Sequence, residues 1–217
     1  MRAVIFHDAG LGRDEAGVAG LALLESAGVA AAAVHHATAR IGDGADVLAR
    51  GAISRCNAIA AGCGVASGQR CHDAAVRLLA APLARPALPP PDEQGRHPLA
   101  PGVLGCDSIG QLEPGDEGRI LVIGSHASLH GGRPETALPI RAALAVFHSG
   151  GGDCSRLPVL EVRGIPAAAV DGQSARIGDA RSVWASGTIA TANGPALALG
   201  IRAGMSVREA VEKVRMQ

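Results

Sequence analysis

The sequence predicts an α/β fold, a mostly parallel sheet flanked by helices and built from two internal repeats with pseudo-twofold symmetry. Three observations predict it. The run Ala39-Arg40-Ile41-Gly42-Asp43 recurs as Ala175-Arg176-Ile177-Gly178-Asp179. Sliding residues 21–64 forward by 136 positions, without a gap, matches 20 of 44 residues, including Glu25/Glu161, Gly28/Gly164, Gly51/Gly187 and Asn57/Asn193. Short, wholly apolar runs alternate with stretches of helical periodicity, the pattern of buried strands joined by crossover helices.

In chain order, residues 2–7 read as a buried strand ending in His7-Asp8 and a turn with Gly10 and Gly12. Residues 13–27 carry one apolar face through Val18, Leu21 and Leu24, and Gly28 stops the helix. Residues 29–34 form a second strand that runs into His35-His36 and the first ARIGD turn. Helices are expected over 45–61 and 69–79. Residues 82–101 are proline-rich and lose apolar periodicity, as linkers do. Residues 102–118 read as irregular, with a turn at Glu113-Pro114-Gly115-Asp116.

The second half opens with a strand over 119–124 that the first half lacks, followed by a short helix over 134–140. Residues 142–147 repeat the first strand, with Phe147 for Phe6 and His148 for His7. A helix to 163, a strand over 165–170, ARIGD, a helix over 181–199 and a last helix over 207–214 complete it. The expected organisation is therefore a first repeat (1–81), a linker and irregular segment (82–117) and a second repeat (118–217) within one compact domain.

Composition narrows the function classes. The chain is 47% hydrophobic, enough for a core, yet its only aromatic residues are Phe6, Phe147 and Trp184. Formal net charge is +0 and the charges are interspersed, so no basic face for nucleic acid is expected. No apolar run approaches the about 20 residues of a membrane span, and the first residues lack the long apolar region of a signal peptide. A cytoplasmic protein with no membrane partner is expected. Its five cysteines, none in a C-x-x-C pair, read as reduced thiols filling small apolar spaces.

Ligands of parallel sheets bind beyond the carboxyl ends of the strands. The chain collects its polar residues there: His7-Asp8, His35-His36, Ser125-His126, His148-Ser149 and Asp171. His7, Asp8, Ser125, His126 and His148 are the candidate catalytic residues. Ser125 would be a nucleophile, His126 or His148 its base and Asp8 the orienting carboxylate. The surrounding Gly124-Ser125-His126-Ala127-Ser128 departs from the G-x-S-x-G elbow, since His126 holds the central place and Ser128 the last. Amides of Gly131-Gly132 or Gly150-Gly151-Gly152 could receive an oxyanion. Arg40, Arg176, Ser149, Gly150 and Gly151 are candidate substrate contacts, the two arginines suiting a carboxylate or phosphate. A purely structural reading of ARIGD is equally available: Asp43 and Asp179 as helix caps, Gly42 and Gly178 as turn residues.

His7, Asp8, His126, His130 and His148 also offer donors suited to Zn, Mn or Fe, and the residues alone do not decide whether a divalent transition metal is bound. Neither G-x-G-x-x-G nor G-x-x-x-x-G-K-[ST] occurs, so no nucleotide cofactor is expected. Cys154 as a lone nucleophile has no cysteine counterpart in the first copy. The function expected is a small-molecule enzyme hydrolysing an amide-type (C–N) bond in a small anionic substrate. The alternatives are a lyase or isomerase using histidine acid–base catalysis, and a non-catalytic ligand-binding or assembly module. Ala-rich helix faces with few charges predict a homo-oligomer.

Overall fold

The structure, a computed structural model, describes residues 1–85 and 95–217. Among these, the chain forms two compact units: residues 1–11 with 17–85, and residues 12–16 with 95–217.

Unit 1 is a three-stranded sheet in the order β1 (Ala3–His7), β2 (Ala30–Val34), β3 (Ile53–Cys56). β1 and β2 are parallel, joined through helix α1 (Gly20–Ser26), while β3 returns antiparallel to β2. Helices α2 (Gly44–Arg50), α3 (Ala58–Gly62) and α4 (Cys71–Leu78) follow. β2 is four alanines and a valine, all buried. Such small side chains bury little area each, so its neighbours Ile53, Val65 and Leu78 supply the bulk of this core.

Unit 2 is a six-stranded sheet in sequence order: β4 (Arg96–Ala100), β5 (Val103–Cys106), β6 (Ile120–His126), β7 (Leu144–His148), β8 (Ala167–Val170) and β9 (Ile189–Ala192). β5 to β8 are parallel, and β4 and β9 are antiparallel edges. Helices α5 (Arg156–Val162), α6 (Ala180–Ser186), α7 (Gly194–Ala198) and α8 (Val207–Arg215) cover it. Alternate residues of β7 serve opposite faces, as a strand's period of two requires. Ala145 and Phe147 join a core with Leu138 and Leu160, and Leu144 and Val146 join one with Val183, Ile189 and Val207. Trp184 of α6 packs against the second core, with the Arg208 guanidinium 5.4 Å from its ring centre.

Several expectations need correction. The sheets are mixed rather than mostly parallel, because each expected long helix hides an antiparallel strand. The helix expected over 45–61 is α2, β3 and α3; that over 181–199 is α6, β9 and α7. Gly51 and Gly187 mark the breaks. A Cβ there would lie 2.4 Å from the carbonyl oxygen of Val47 or Val183, so only glycine lets the chain leave the helix so tightly. Asn57 and Asn193, expected mid-helix, are N-caps of α3 and α7. Residues 96–106, within the stretch expected to be linker and irregular, form the β4–β5 hairpin. Its anchor is the buried Asp107, whose carboxylate accepts from Gly95 N–H, Ala180 N–H and His97 Nε2. The rest of the proline-rich stretch, 86–94, lies outside the described residues. The helix expected over 134–140 is a single 3-10 turn, Pro134–Thr136.

Side chains matched by the duplication satisfy the same backbone groups in both units. Asn57 Oδ1 accepts from Ala31 and Ala60 N–H, and its Nδ2 donates to the Val29 carbonyl at 2.8 Å. Asn193 does the same for Ala167, Ala196 and Ile165. Glu25 accepts from Ala58 N–H, and Glu161 from Gly194 N–H. Each is a buried or chain-end donor that would otherwise go unpaired.

Candidate functional site

The first turns after the strands decide which histidines are available for chemistry. His7 Nδ1 accepts from Ala9 N–H, so its Nε2 carries the proton and donates to the Ala39 carbonyl at 3.1 Å. His148 repeats this with Gly150 N–H and the Ala175 carbonyl at 3.0 Å, and is completely buried. Burial outweighs their other interactions and pushes both imidazoles below the usual histidine range. Both rings are neutral tethers that tie each strand end to its own ARIGD turn.

Asp8 is different. It is 1% exposed, and its Oδ1 accepts from Gly10 N–H at 3.0 Å, His36 N–H at 2.9 Å and His36 Nδ1 at 3.0 Å. Burial alone would raise this carboxyl. The bonds from Gly10, Ser54 and His36 outweigh it and hold Asp8 below the usual carboxylate range. The Ser54 hydroxyl stands between this carboxylate and the Ala33 carbonyl, 3.3 Å away, so its proton faces acceptors.

Because Asp8 receives the Nδ1–H of His36, Nε2 of that ring keeps a lone pair. The adjacent His35 has the opposite tautomer: its Nδ1 accepts from Ala37 N–H at 3.1 Å, so Nε2 bears the proton. The two rings stack with centroids 4.3 Å apart. Asp8, His35, His36, Ser54, Arg55 and Ser67 line a cleft of about 490 Å³ in unit 1. The cleft adjoins the register shift between β2 and β3 at Ala33/Val34. Ala9 and Leu11, flanking it, hold φ of 49° and 63°, a left-handed backbone that is strained for residues with a side chain.

The other candidate residues are dispersed. Ser125 Oγ accepts from Ile109 N–H at 3.2 Å, which ties the end of β6 to the loop after β5. His126 is buried at the end of β6, its ring centre 5.2 Å from that of His130. Ser149 is buried, and its amide donates to the Val170 carbonyl at 3.0 Å. Gly150 spends its amide on His148, and Gly151 is exposed. Of the catalytic candidates, His7 and Asp8 belong to unit 1, and Ser125, His126 and His148 to unit 2.

ARIGD works as a cap. Asp43 accepts from Asp46 N–H to start α2, and Asp179 from Arg181 and Ser182 N–H to start α6. The Arg40 side chain is exposed. The Arg176 guanidinium pairs with Asp14 at 2.9 Å, an exposed bridge. Among the described residues, no cluster of three or more His, Cys, Asp or Glu is arranged to hold a metal ion. All five cysteines are free thiols, and burial, helped by Asp153, pushes the Cys154 thiol up to about 11, which keeps it protonated at neutral pH.

Asp8 and His35-His36 stand at the strand ends where the sequence put them, whereas Ser54, Arg55 and Ser67, which line the same cleft, were not expected there. They sit on or beside β3, a strand expected as helix. No described helix is long and apolar enough to cross a membrane. No family model, curated protein or solved structure matches this chain.

Proposed function

We propose that unit 1 is the catalytic centre of a small-molecule hydrolase acting on an amide-type C–N bond, with His36 as the base that takes and returns the proton and His35 as a neutral hydrogen-bond donor. The supporting observation is the stacked pair of imidazoles in opposite tautomers, one fixed by the Asp8 carboxylate and the other by the Ala37 amide. His36 Nε2 takes a proton from water, and the hydroxide oxygen adds to the amide carbon. The His36 imidazolium then gives that proton from Nε2 to the departing nitrogen as the C–N bond breaks, while the neutral His35 Nε2–H donates a hydrogen bond to the oxyanion formed on the carbonyl oxygen. Asp8 positions His36 by accepting its Nδ1–H. Arg55 brings positive charge to the cleft wall, which suits an anionic substrate. Ser54 is assigned a supporting role, because its proton faces acceptors rather than a base.

The tautomers are measurable without a substrate. Nitrogen-15 shifts of the imidazoles should show His36 protonated at Nδ1 and His35 at Nε2 near neutral pH. An Nε2–H form of His36 would sink the assignment of the base. A panel of small amides and ureides bearing a carboxylate, followed by ammonia or amine release, then tests the reaction.

The same pair supports a second reading, a lyase or isomerase, since His36 Nε2 can remove a proton from carbon and return it while His35 Nε2–H hydrogen-bonds the oxygen that takes up the charge. Exchange of substrate protons with deuterium from solvent, without release of amine, would select it. Saturable binding of panel compounds without turnover or exchange would select the non-catalytic module. A cytoplasmic homo-oligomer with pseudo-twofold related repeats completes the proposal. Leu79, Leu83 and Val162 are among the exposed apolar side chains available for subunit contact. A monomeric mass by light scattering would remove the oligomer from it.

A further inference from the structure

Arg156 is 0% exposed, the largest fully buried side chain of the described residues. Its Nε donates to the His126 carbonyl at 3.2 Å, and its Nη1 donates to the carbonyls of Ala137, at 2.7 Å, and Thr136. The guanidinium carbon lies 5.7 Å from the Phe147 ring centre. Nη2 is buried and has no hydrogen-bond partner. Among the described residues no carboxylate pairs with Arg156; its partners are neutral carbonyls. These solvate the cation without neutralising it, and an uncompensated buried charge is costly. Neutral donors could pin the same loop, so the pinning does not explain the charge.

The surroundings are cationic too. Burial, and after it the charges of Arg156 and Arg133, push the His130 imidazole below the usual range. The His130 ring stands 5.2 Å from that of His126. His130 and Gly131 are partly exposed. The duplication does not require any of this. Arg156 aligns with Gly20 in the first copy, and β6, which carries His126, has no counterpart there.

We infer that unit 2 holds a binding site for a small oxyanion, a carboxylate or phosphate group, at the carboxyl end of β6, with Arg156 Nη2 as its principal donor and His130 at its mouth. A guanidinium presents paired N–H donors to two oxygens of one anion, and Nη2 is the part of that fork left over from the loop carbonyls.

The test uses the full chain. Thermal melts in phosphate or succinate, against chloride at matched ionic strength, should show a saturating rise in Tm, because a ligand of the folded state stabilises it by mass action. Arg156→Lys keeps the charge but loses the fork, and should weaken the response by about tenfold or more. Crystals soaked in selenate should show an anomalous peak within hydrogen-bond reach of Nη2. That soak, with a His130→Gln melt, decides the matter if R156K does not fold. The tighter of phosphate and succinate identifies the oxyanion. No saturating rise over chloride, or selenate bound only elsewhere, would overturn the inference. So would an equal response in folded R156K. Either failure leaves the imidazole tautomers of unit 1 untouched.

Discussion

Asn57 in unit 1 and Asn193 in unit 2 hold the same three backbone groups, whereas His36 and Gly172, also at matched positions, share no role. The contrast runs through the whole duplication. Asn57/Asn193, His7/His148, Glu25/Glu161 and Asp43/Asp179 are identical pairs that satisfy backbone donors or acceptors. The cleft residues are not: Asp8 faces Ser149 in the alignment, His35 faces Asp171, Ser54 faces Ala190 and Arg55 faces Thr191. Matching residues are the frame that any copy of this unit needs, because an unpaired buried backbone group is costly wherever it occurs. The cleft residues bond backbone too, as Asp8 does with the Gly10 and His36 amides, yet they differ between the two halves and line one cleft.

Exchanging cleft residues for their partners in the other copy should expose this division most sharply. His36→Gly and Asp8→Ser should each lower turnover of any substrate found by about 100-fold or more, the usual scale of general acid–base catalysis, while the fold survives. A folded His36→Gly variant with full activity would break the assignment. Frame residues should respond in the opposite way. Asn57→Ala and Asn193→Ala each remove a cap and leave buried backbone groups unpaired, so each should cost about 3 kcal/mol. Circular dichroism melts would measure it, and a neutral result at one site would mean that the copies no longer share a frame.

The two histidine tethers sharpen the comparison through pH. His148 is fully buried and His7 only partly, and burial holds both folded values below the ordinary 6.5. The unfolded chain therefore binds protons more readily as pH falls. The stability from each neutral ring is complete above about 6.5 and is lost as pH falls through its lower folded value. In denaturant melts from pH 8 to 5, His148→Gln should flatten that decline more than His7→Gln. The smallest effects belong to the caps. Asp43→Ala and Asp179→Ala should each cost about 1 kcal/mol, the second more, since Asp179 accepts two amides.

The strands β1, β2, β6, β7 and β8 were legible because short, almost wholly apolar runs set between turn residues have one natural reading. β3 and β9 were not. Each has four residues, Ile-Ser-Arg-Cys and Ile-Ala-Thr-Ala, set among alanines that favour helix. Gly51 and Gly187 carried the missing signal: a glycine kept at both mid-helix positions argues for a break. β4 was hidden by Pro98, tolerated because β4 is an edge strand. Asp8 could be read from its strand-end position. Ser54 and Arg156 depend on contacts that no spacing encodes, yet both stand where the copies disagree. Subtracting one copy from the other is the operation that would have found them.

Trp184 has a consequence for anyone who unfolds this protein. It is the chain's one tryptophan and there is no tyrosine, so all intrinsic emission excited at 295 nm originates in α6 of unit 2. Unit 1 contributes only Phe6. Loss of the His36 cleft is optically silent at that wavelength, and a fluorescence melt will record a single transition even where the two units part company. A second indole at exposed Leu79 would give unit 1 a reporter of its own and turn the stability of each half into a separate observable.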